Sequence, residues 1–240
     1  MTDERYLFKT GIGGLDEMLA GGIPDKNQVL VAGGPGTGKT LLCFQIAYNA
    51  AKRGIPSAFI ALDEEPDAVV ENAKRTFSGL GDIDALMGEN RLIVKGDDTA
   101  ASMSTAVESE AYSFGKLISG IEAIISSNGA RVVIIDSIEF LRLMLERKIT
   151  YRRSMISVMS NLRRLGVNSF VTAEIDASGG KDYRFKEEFF IFDGIIAMGE
   201  FERNGSRVLG MEVMKMRGNS HSRALSPYRI TGSGIELVKV

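Results

Sequence analysis

The sequence predicts an α/β fold: a mostly parallel, twisted sheet flanked by helices, closed at the C-terminus by an antiparallel β-meander. Three observations predict it. Short apolar runs alternate with longer amphipathic stretches through the first three quarters of the chain. A glycine-rich segment, Gly33-Gly34-Pro35-Gly36-Thr37-Gly38-Lys39-Thr40, joins the first clear apolar run to the first amphipathic one. Near the C-terminus the helical periodicity stops, and strand-like segments follow one another across short turns.

Taken in order, Val29–Ala32 is a short strand ending in the glycine-rich loop. Leu41–Lys52 reads as a helix closed by Gly54, because glycine tolerates the left-handed conformation that ends helices. Ser57–Leu62 is a buried strand, and Pro66–Phe77 is a helix with proline in its first turn. Arg91–Lys95 is another strand, followed by a polar stretch, Gly96–Glu108, that reads as a mobile loop. Tyr112–Ser127 is helical, with Ile118, Ile121, Ile124 and Ile125 at core spacing. Val132–Ile135 is a continuous β-branched strand, as expected for a parallel-sheet strand buried on both faces. Tyr151–Leu165 is a helix stopped by Gly166, and Val167–Ala173 is the next strand. Gly194–Met198, Arg207–Met216, Tyr228–Thr231 and Ile235–Val240 form the meander. No repeat, low-complexity tract or linker interrupts this order, so residues 1–240 are expected to form one domain.

The bulk numbers exclude several classes. With 44% hydrophobic and 25% charged residues the composition is that of a soluble globular protein, and 240 residues suffice to bury a sizeable core. A net charge of −2 gives no general affinity for nucleic acid or membrane. Cys43 is the one cysteine, so no intramolecular disulfide and no Cys-x-x-Cys metal framework can form. No apolar run is long enough to span a bilayer, and the acidic start Met1-Thr2-Asp3-Glu4-Arg5 is not a signal peptide. These features point to the cytoplasm and to no membrane association.

The glycine-rich segment satisfies G-x-x-x-x-G-K-[ST] at every fixed position. Without Cβ atoms in the way, successive backbone N–H groups can converge on phosphate oxygens, and the helix that follows adds its positive end. The motif predicts ATP and Mg²⁺ as cofactors, with Gly34, Pro35, Gly36, Thr37, Gly38, Lys39, Thr40 and Leu41 as the nucleotide-binding candidates. Lys39 is expected at the β and γ phosphates, and the Thr40 hydroxyl on the metal. Asp136 closes the strand Val132–Ile135. Ligands of open parallel sheets sit at that end of the strands, so Asp136 is the second metal-side candidate. Asp63-Glu64-Glu65 follows the strand next after the loop helix. Two readings stay open there. Glu64 and Glu65 can orient or deprotonate an attacking water, or the acids can be a solvated first turn favoured by the helix dipole.

With these residues assembled, the chain resembles the KaiC-like branch of the RecA superfamily along almost its whole length. The resemblance rests on Thr10-Gly11-Ile12-Gly13-Gly14-Leu15-Asp16, then Gly21-Gly22-Ile23-Pro24, the loop itself, Glu64-Glu65, Asp136-Ser137 and Thr172-Ala173-Glu174. It ends on Lys215-Met216-Arg217-Gly218-Asn219-Ser220-His221, similar to a K-x-R-G-x-x-H segment of that family. The resemblance implies a RecA-like core and a homo-oligomeric, usually hexameric, ring with ATP between subunits. Glu64 and Glu65 stand at the family's catalytic glutamates. Lys215 and Arg217, with Met216 and His221 beside them, would reach the γ-phosphate held by a neighbouring subunit. A solvated strand face is the plainer reading of the two cations, and a surface turn of His221. The meander, on this reading, is not needed by the core to bind phosphate.

The chain departs from the circadian-clock members in carrying one such domain rather than two. It also reads Phe189-Phe190-Ile191-Phe192 where those members are phosphorylated on adjacent Ser and Thr. Autophosphorylation is therefore not expected there, and the four apolar residues are expected in the core or at a subunit interface. The implied function is a slow ATPase acting as a nucleotide-dependent switch, with a protein signalling partner consistent with that role. The alternative is a recombinase-type ATPase that binds DNA. Its candidate loops, Arg142–Lys148 and Ala177–Glu188, mix bases with acids, which does not favour DNA.

Overall fold

The computed structural model describes residues 6–96, 110–143, 148–175, 187–203 and 205–238. Nine strands form the main sheet. They are β3 (Gln28–Gly33), β4 (Ser57–Ala61), β5 (Leu92–Gly96), β6 (Val132–Asp136), β7 (Asn168–Glu174), β8 (Gly194–Arg203), β9 (Ser206–Met216), β10 (Ser226–Thr231) and β11 (Gly234–Leu237). The spatial order is β11-β10-β9-β8-β3-β7-β6-β4-β5. The half from β8 to β5 is parallel throughout, and the pairings from β8 to β11 are antiparallel. The α/β fold with a C-terminal antiparallel edge therefore holds.

Period-two alternation assigns the side chains of the parallel strands to two cores. Val29, Val31, Phe59, Val132 and Ile134 enter one cluster with helix α2 (Lys39–Lys52). Leu30, Ala32, Ile60, Val133 and Ile135 enter the other. Against that second face lie Leu117, Ile121 and Ile125 of α5 (Glu110–Asn128), and Met155, Val158, Met159 and Leu162 of α7 (Lys148–Arg164). Both faces are covered, which is why these strands read as unbroken apolar runs. Two more helices, α3 (Pro66–Thr76) and α4 (Ile83–Gly88), lead from β4 to β5.

The structure adds what periodicity cannot see. Leu7–Phe8 (β1) pairs with Ile23–Pro24 (β2) across a six-residue helix, Gly13–Met18 (α1). That helix opens on two glycines and is too short to show a period. It is organised instead by Asp16, whose carboxylate accepts from the Thr10 and Gly11 N–H groups and from the Thr10 hydroxyl. Ile138–Leu143 (α6) is likewise too short to read. The segment Gly194–Met198, expected as the first strand of the meander, pairs in parallel with β3 on one side and antiparallel with β9 on the other. It belongs as much to the parallel half as to the antiparallel one. Of the Phe189–Phe192 segment, Phe189 and Phe192 are buried as expected, whereas Phe190 is 62% exposed. The expected loop Gly96–Glu108 lies outside the described residues beyond Gly96, as do residues 144–147 and 177–186 of the two candidate DNA-binding loops. No helix among the described residues is long and apolar enough to cross a membrane.

Candidate nucleotide-binding site

The loop begins where β3 runs out between β7 and β8. A Cβ on Gly33 would stand 2.5 Å from the Met198 carbonyl oxygen, so only glycine lets β3 pass its neighbour here. The turn is then held from inside: the Thr37 hydroxyl donates to the Gly34 carbonyl at 2.8 Å, and Lys39 Nζ donates to the same oxygen at 3.0 Å. Gly38, at φ 84°, is the N-cap of α2, and its carbonyl accepts the Leu42 N–H at 2.8 Å. Fourteen helical residues thus start at the loop, with their unpaired N–H groups turned toward it. Pro35 and Gly36 are exposed, while Lys39, Thr40 and Leu41 are half-buried.

Asp136 ends β6 on the same edge of the sheet. Its carboxylate accepts a hydrogen bond from the Thr172 hydroxyl of β7, and the Thr40 hydroxyl lies close enough to favour its charged form. Burial pushes this carboxyl above the usual carboxylate range and nearby Asp63 adds to the rise, while the two hydroxyls and Lys39 oppose it. A divalent cation beside it would reverse that balance. One alcohol and one carboxylate close together at a helix N-terminus fit the way Mg²⁺ is held together with nucleotide phosphates. Among the described residues no cluster of three or more His, Cys, Asp or Glu forms a cage for a metal.

The acids after β4 share this edge, since Ala61 stands in register with Asp136. The N–H groups of Leu62 and Asp63 both point at the Asp136 carbonyl, at 2.6 and 3.4 Å. Asp63 is occupied by the Ser137 hydroxyl, which donates to it. Glu65 is the N-cap of α3 through its backbone, with its carbonyl accepting from Val69 at 3.1 Å, but its side chain makes no capping bond. Glu64 and Glu65 are exposed.

Sequence reasoning missed the contribution of the C-terminal hairpin. The Tyr228 hydroxyl donates to the Thr37 carbonyl inside the loop, across 191 residues of chain. Ile230 lies over Gly38, where a Cβ would come within 2.8 Å of its Cδ1. The Ile235 N–H donates to Gln45 of α2 at 2.7 Å. The meander, expected to be unnecessary for binding phosphate, thus touches the loop: β10 and β11 brace it. A lone tyrosine so far from the motif carries no signal that could have revealed this. Glu139 was missed too; its carboxylate accepts the Glu174 N–H at 2.9 Å beside the loop strand.

Lys215, Met216, Arg217 and His221 are not brought to this edge. Within the sheet, Gly33 lies opposite Met198, whereas Met216 lies opposite Gly194, which faces Val29. Those four steps of strand are roughly 13 Å, and Arg217 is one residue further still. Lys215 Nζ donates to the Phe192 carbonyl at 2.5 Å and the Phe190 carbonyl at 3.2 Å. Burial, and then the neighbouring Arg217, lower the pKa of this ammonium. Met216 is buried, so its side chain serves the core. His221 is half-buried, and its Nε2 has no hydrogen-bond partner among the described residues. Asn27 donates to the Arg217 carbonyl at 3.0 Å, and Asn219 to the Leu19 and Gly22 carbonyls, which pins this turn to the N-terminal segment.

Residues 8–240 match the family described as ATPase: KaiC. A UPF0273 protein of Methanocaldococcus jannaschii is 34% identical over 95% of this chain and 94% of its own length. Another, from Aeropyrum pernix, is 32% identical over 95% of this chain and 91% of its own. The circadian clock oscillator protein KaiC of a Picosynechococcus species is 30% identical over 96% of this chain, which spans only 44% of that larger protein. Among solved structures, a KaiC-like protein of Pyrococcus horikoshii superposes with a TM-score of 0.81, at 26% identity, over 98% of this chain and all of that one. Its fold matches the sheet and flanking helices described above. With the loop, the Thr40–Asp136 pair and the edge strands all in place, the chain belongs to the KaiC family of ATPases.

Proposed function

We propose that this chain is one ATPase domain that binds Mg-ATP at Gly33–Leu41 and hydrolyses it slowly at the interfaces of a closed homo-oligomeric ring, hexameric as the resemblance implies. Thr40 and Asp136 hold the metal, which when bound neutralises charge on the β and γ oxygens. Lys39 turns from the Gly34 carbonyl to the phosphates, and Glu64 and Glu65 orient the attacking water. Lys215 and Arg217 serve the nucleotide of the next copy, where a guanidinium stabilises charge on the transferred phosphoryl group. The observation that carries this reading is the placement of Arg217 at the end of β9 beside the start of β3, the sheet end away from its own loop. An arginine so placed acts on another subunit or not at all. The output is a nucleotide-dependent switch in the cytoplasm, read by a protein partner.

Mixing tests it. Arg217→Ala keeps its own loop, and Lys39→Ala keeps its arginine, so each alone is inactive. Random equal mixing leaves about one interface in four with both parts intact. An arginine of this kind contributes about 10³–10⁵ in rate, so partial recovery is readily measured. If labelled subunits are seen to exchange and activity stays at zero, the trans role is wrong.

A further inference from the structure

The cation pair at the far end of the sheet is organised by a residue that none of the motifs contains. Asp193 stands between the 3₁₀ turn Glu187–Ile191 and β8, and is buried at 7% exposure. Its Oδ2 accepts the Gln28 N–H at 3.1 Å and Arg163 Nη2 at 2.8 Å. Its Oδ1 lies 3.4 Å from Arg217 Nη1. Its backbone carbonyl accepts the Arg217 N–H at 2.8 Å, and Arg217 Nη2 donates to the Phe190 carbonyl at 3.3 Å. One carboxylate is thus shared by two guanidinium groups, one held short and one held long.

That inequality has a physical meaning. A buried carboxylate that loses its only counter-ion is left uncompensated, at a cost of several kcal/mol. Arg163, on α7 and bound at 2.8 Å with its side chain 47% exposed, supplies the closer of the two partners. Arg217, at 3.4 Å and with its side chain 56% exposed, can swing away without stranding Asp193. Until it swings, Asp193 and the Phe190 carbonyl limit the directions its long side chain takes, and its backbone is fixed by the Asp193 carbonyl.

We propose that Asp193 is the positioning residue that aims Arg217 at the nucleotide of a second copy of this chain, with Arg163 as the fixed counter-ion that lets Arg217 leave. This rests on the trans reading above. Asp193 touches no phosphate and acts through Arg217. Preorganisation of this kind is sensitive to displacements of about 1 Å, which cost on the order of 10²-fold in rate.

The test is steady-state ATP hydrolysis by the assembled full-length chain. Asp193→Asn is expected to lower kcat by about 10- to 100-fold with KM for ATP little changed, because its own loop is untouched. Mixed with Lys39→Ala subunits it regains activity; mixed with Arg217→Ala subunits it does not, because both then lack a usable arginine. A merely destabilised fold does not produce that pattern. Arg163→Ala is the second variant. It leaves Asp193 charged with Arg217 as its remaining guanidinium, so Arg217 is tethered and kcat falls several-fold while ATP affinity stays. Wild-type turnover by Asp193→Asn or by Arg163→Ala overturns the positioning role while Arg217→Ala remains inactive. Wild-type turnover by Arg217→Ala itself overturns the trans reading on which the role depends. Should Asp193→Asn fail to fold, the Arg163→Ala result decides.

Discussion

At the edge where β3, β4 and β6 end, favourable charge comes from backbone N–H groups and one lysine folded onto its own loop; where β3 and β8 begin, it comes from two long side chains tied to carbonyls and a buried carboxylate. The first edge is self-contained. Its donors converge on one place, with the Asp136 carboxylate and the Thr40 hydroxyl beside them. The second edge has cations that the chain's own groups hold, the Phe190 and Phe192 carbonyls and the Asp193 carboxylate. The difference teaches that motif residues of one sequence need not gather at one edge of the folded molecule.

After the arginine's loss described above, the next largest effect that sharpens this comparison belongs to the acids at the first edge. Glu64→Gln with Glu65→Gln should leave ATP binding intact and slow hydrolysis by about 10²–10⁴-fold. A double variant that turns over like wild type would identify the pair as a solvated helix start and leave the first edge a binding device only. Lys39→Ala comes next. Losing the ammonium at the phosphates should weaken ATP by about 10- to 100-fold, measured by titration calorimetry, whereas Arg217→Ala should leave own-site affinity nearly unchanged. Equal losses from both variants would erase the distinction between the edges.

Asp136→Asn should act in opposite directions with and without nucleotide. Burial raises this carboxyl above its ordinary 3.8, with Asp63 adding to the rise and Lys39 opposing it. The folded state therefore holds a proton that the unfolded chain has already released, and stability falls as pH rises through that interval. The deficit persists to neutral pH. Without nucleotide, the variant should melt above wild type at pH 7 and converge with it at pH values below 3.8. With Mg-ATP it should gain less than wild type. A variant that melts below wild type at pH 7 without ligand would mean that the hydroxyl bonds outweigh burial. The smallest effect concerns the brace: Tyr228→Phe loses one hydrogen bond, worth about 0.5–1.5 kcal/mol, and should be detectable in chemical denaturation.

The first edge was legible because its chemistry is local. Consecutive amides must meet the phosphates, so Gly33–Thr40 is contiguous, and Asp136 is announced by the apolar strand before it. The parallel half of the sheet was legible for a related reason, since strands buried on both faces leave uninterrupted apolar runs. Asp193, Asn27 and Asn219 were not legible. Each works through one side chain on groups away from its own segment, backbone for the two asparagines and backbone and guanidinium for Asp193, and no periodicity records such bonds. The double role of Gly194–Met198 was hidden too, because the same residues satisfy a parallel and an antiparallel partner. Phe190 shows the limit of composition: four apolar residues in a row were expected in the core or at a subunit interface, and composition does not say which of them the turn sends out.

The brace from Tyr228 to Thr37 also bears on how this chain can be cut and rejoined. A truncation after Met216 keeps the glycine-rich loop, both acid positions, Asp136 and Lys215. It removes the hydroxyl above Thr37, the side chain over Gly38, the Gln45 partner at Ile235 and the Gly232 carbonyl that receives the Gly79 N–H at 2.8 Å. A minimal phosphate-binding fragment is therefore not a run counted from the N-terminus. It must carry Ser226–Leu237 with it, and a fusion partner joined at the C-terminus needs a spacer long enough to leave that hairpin seated.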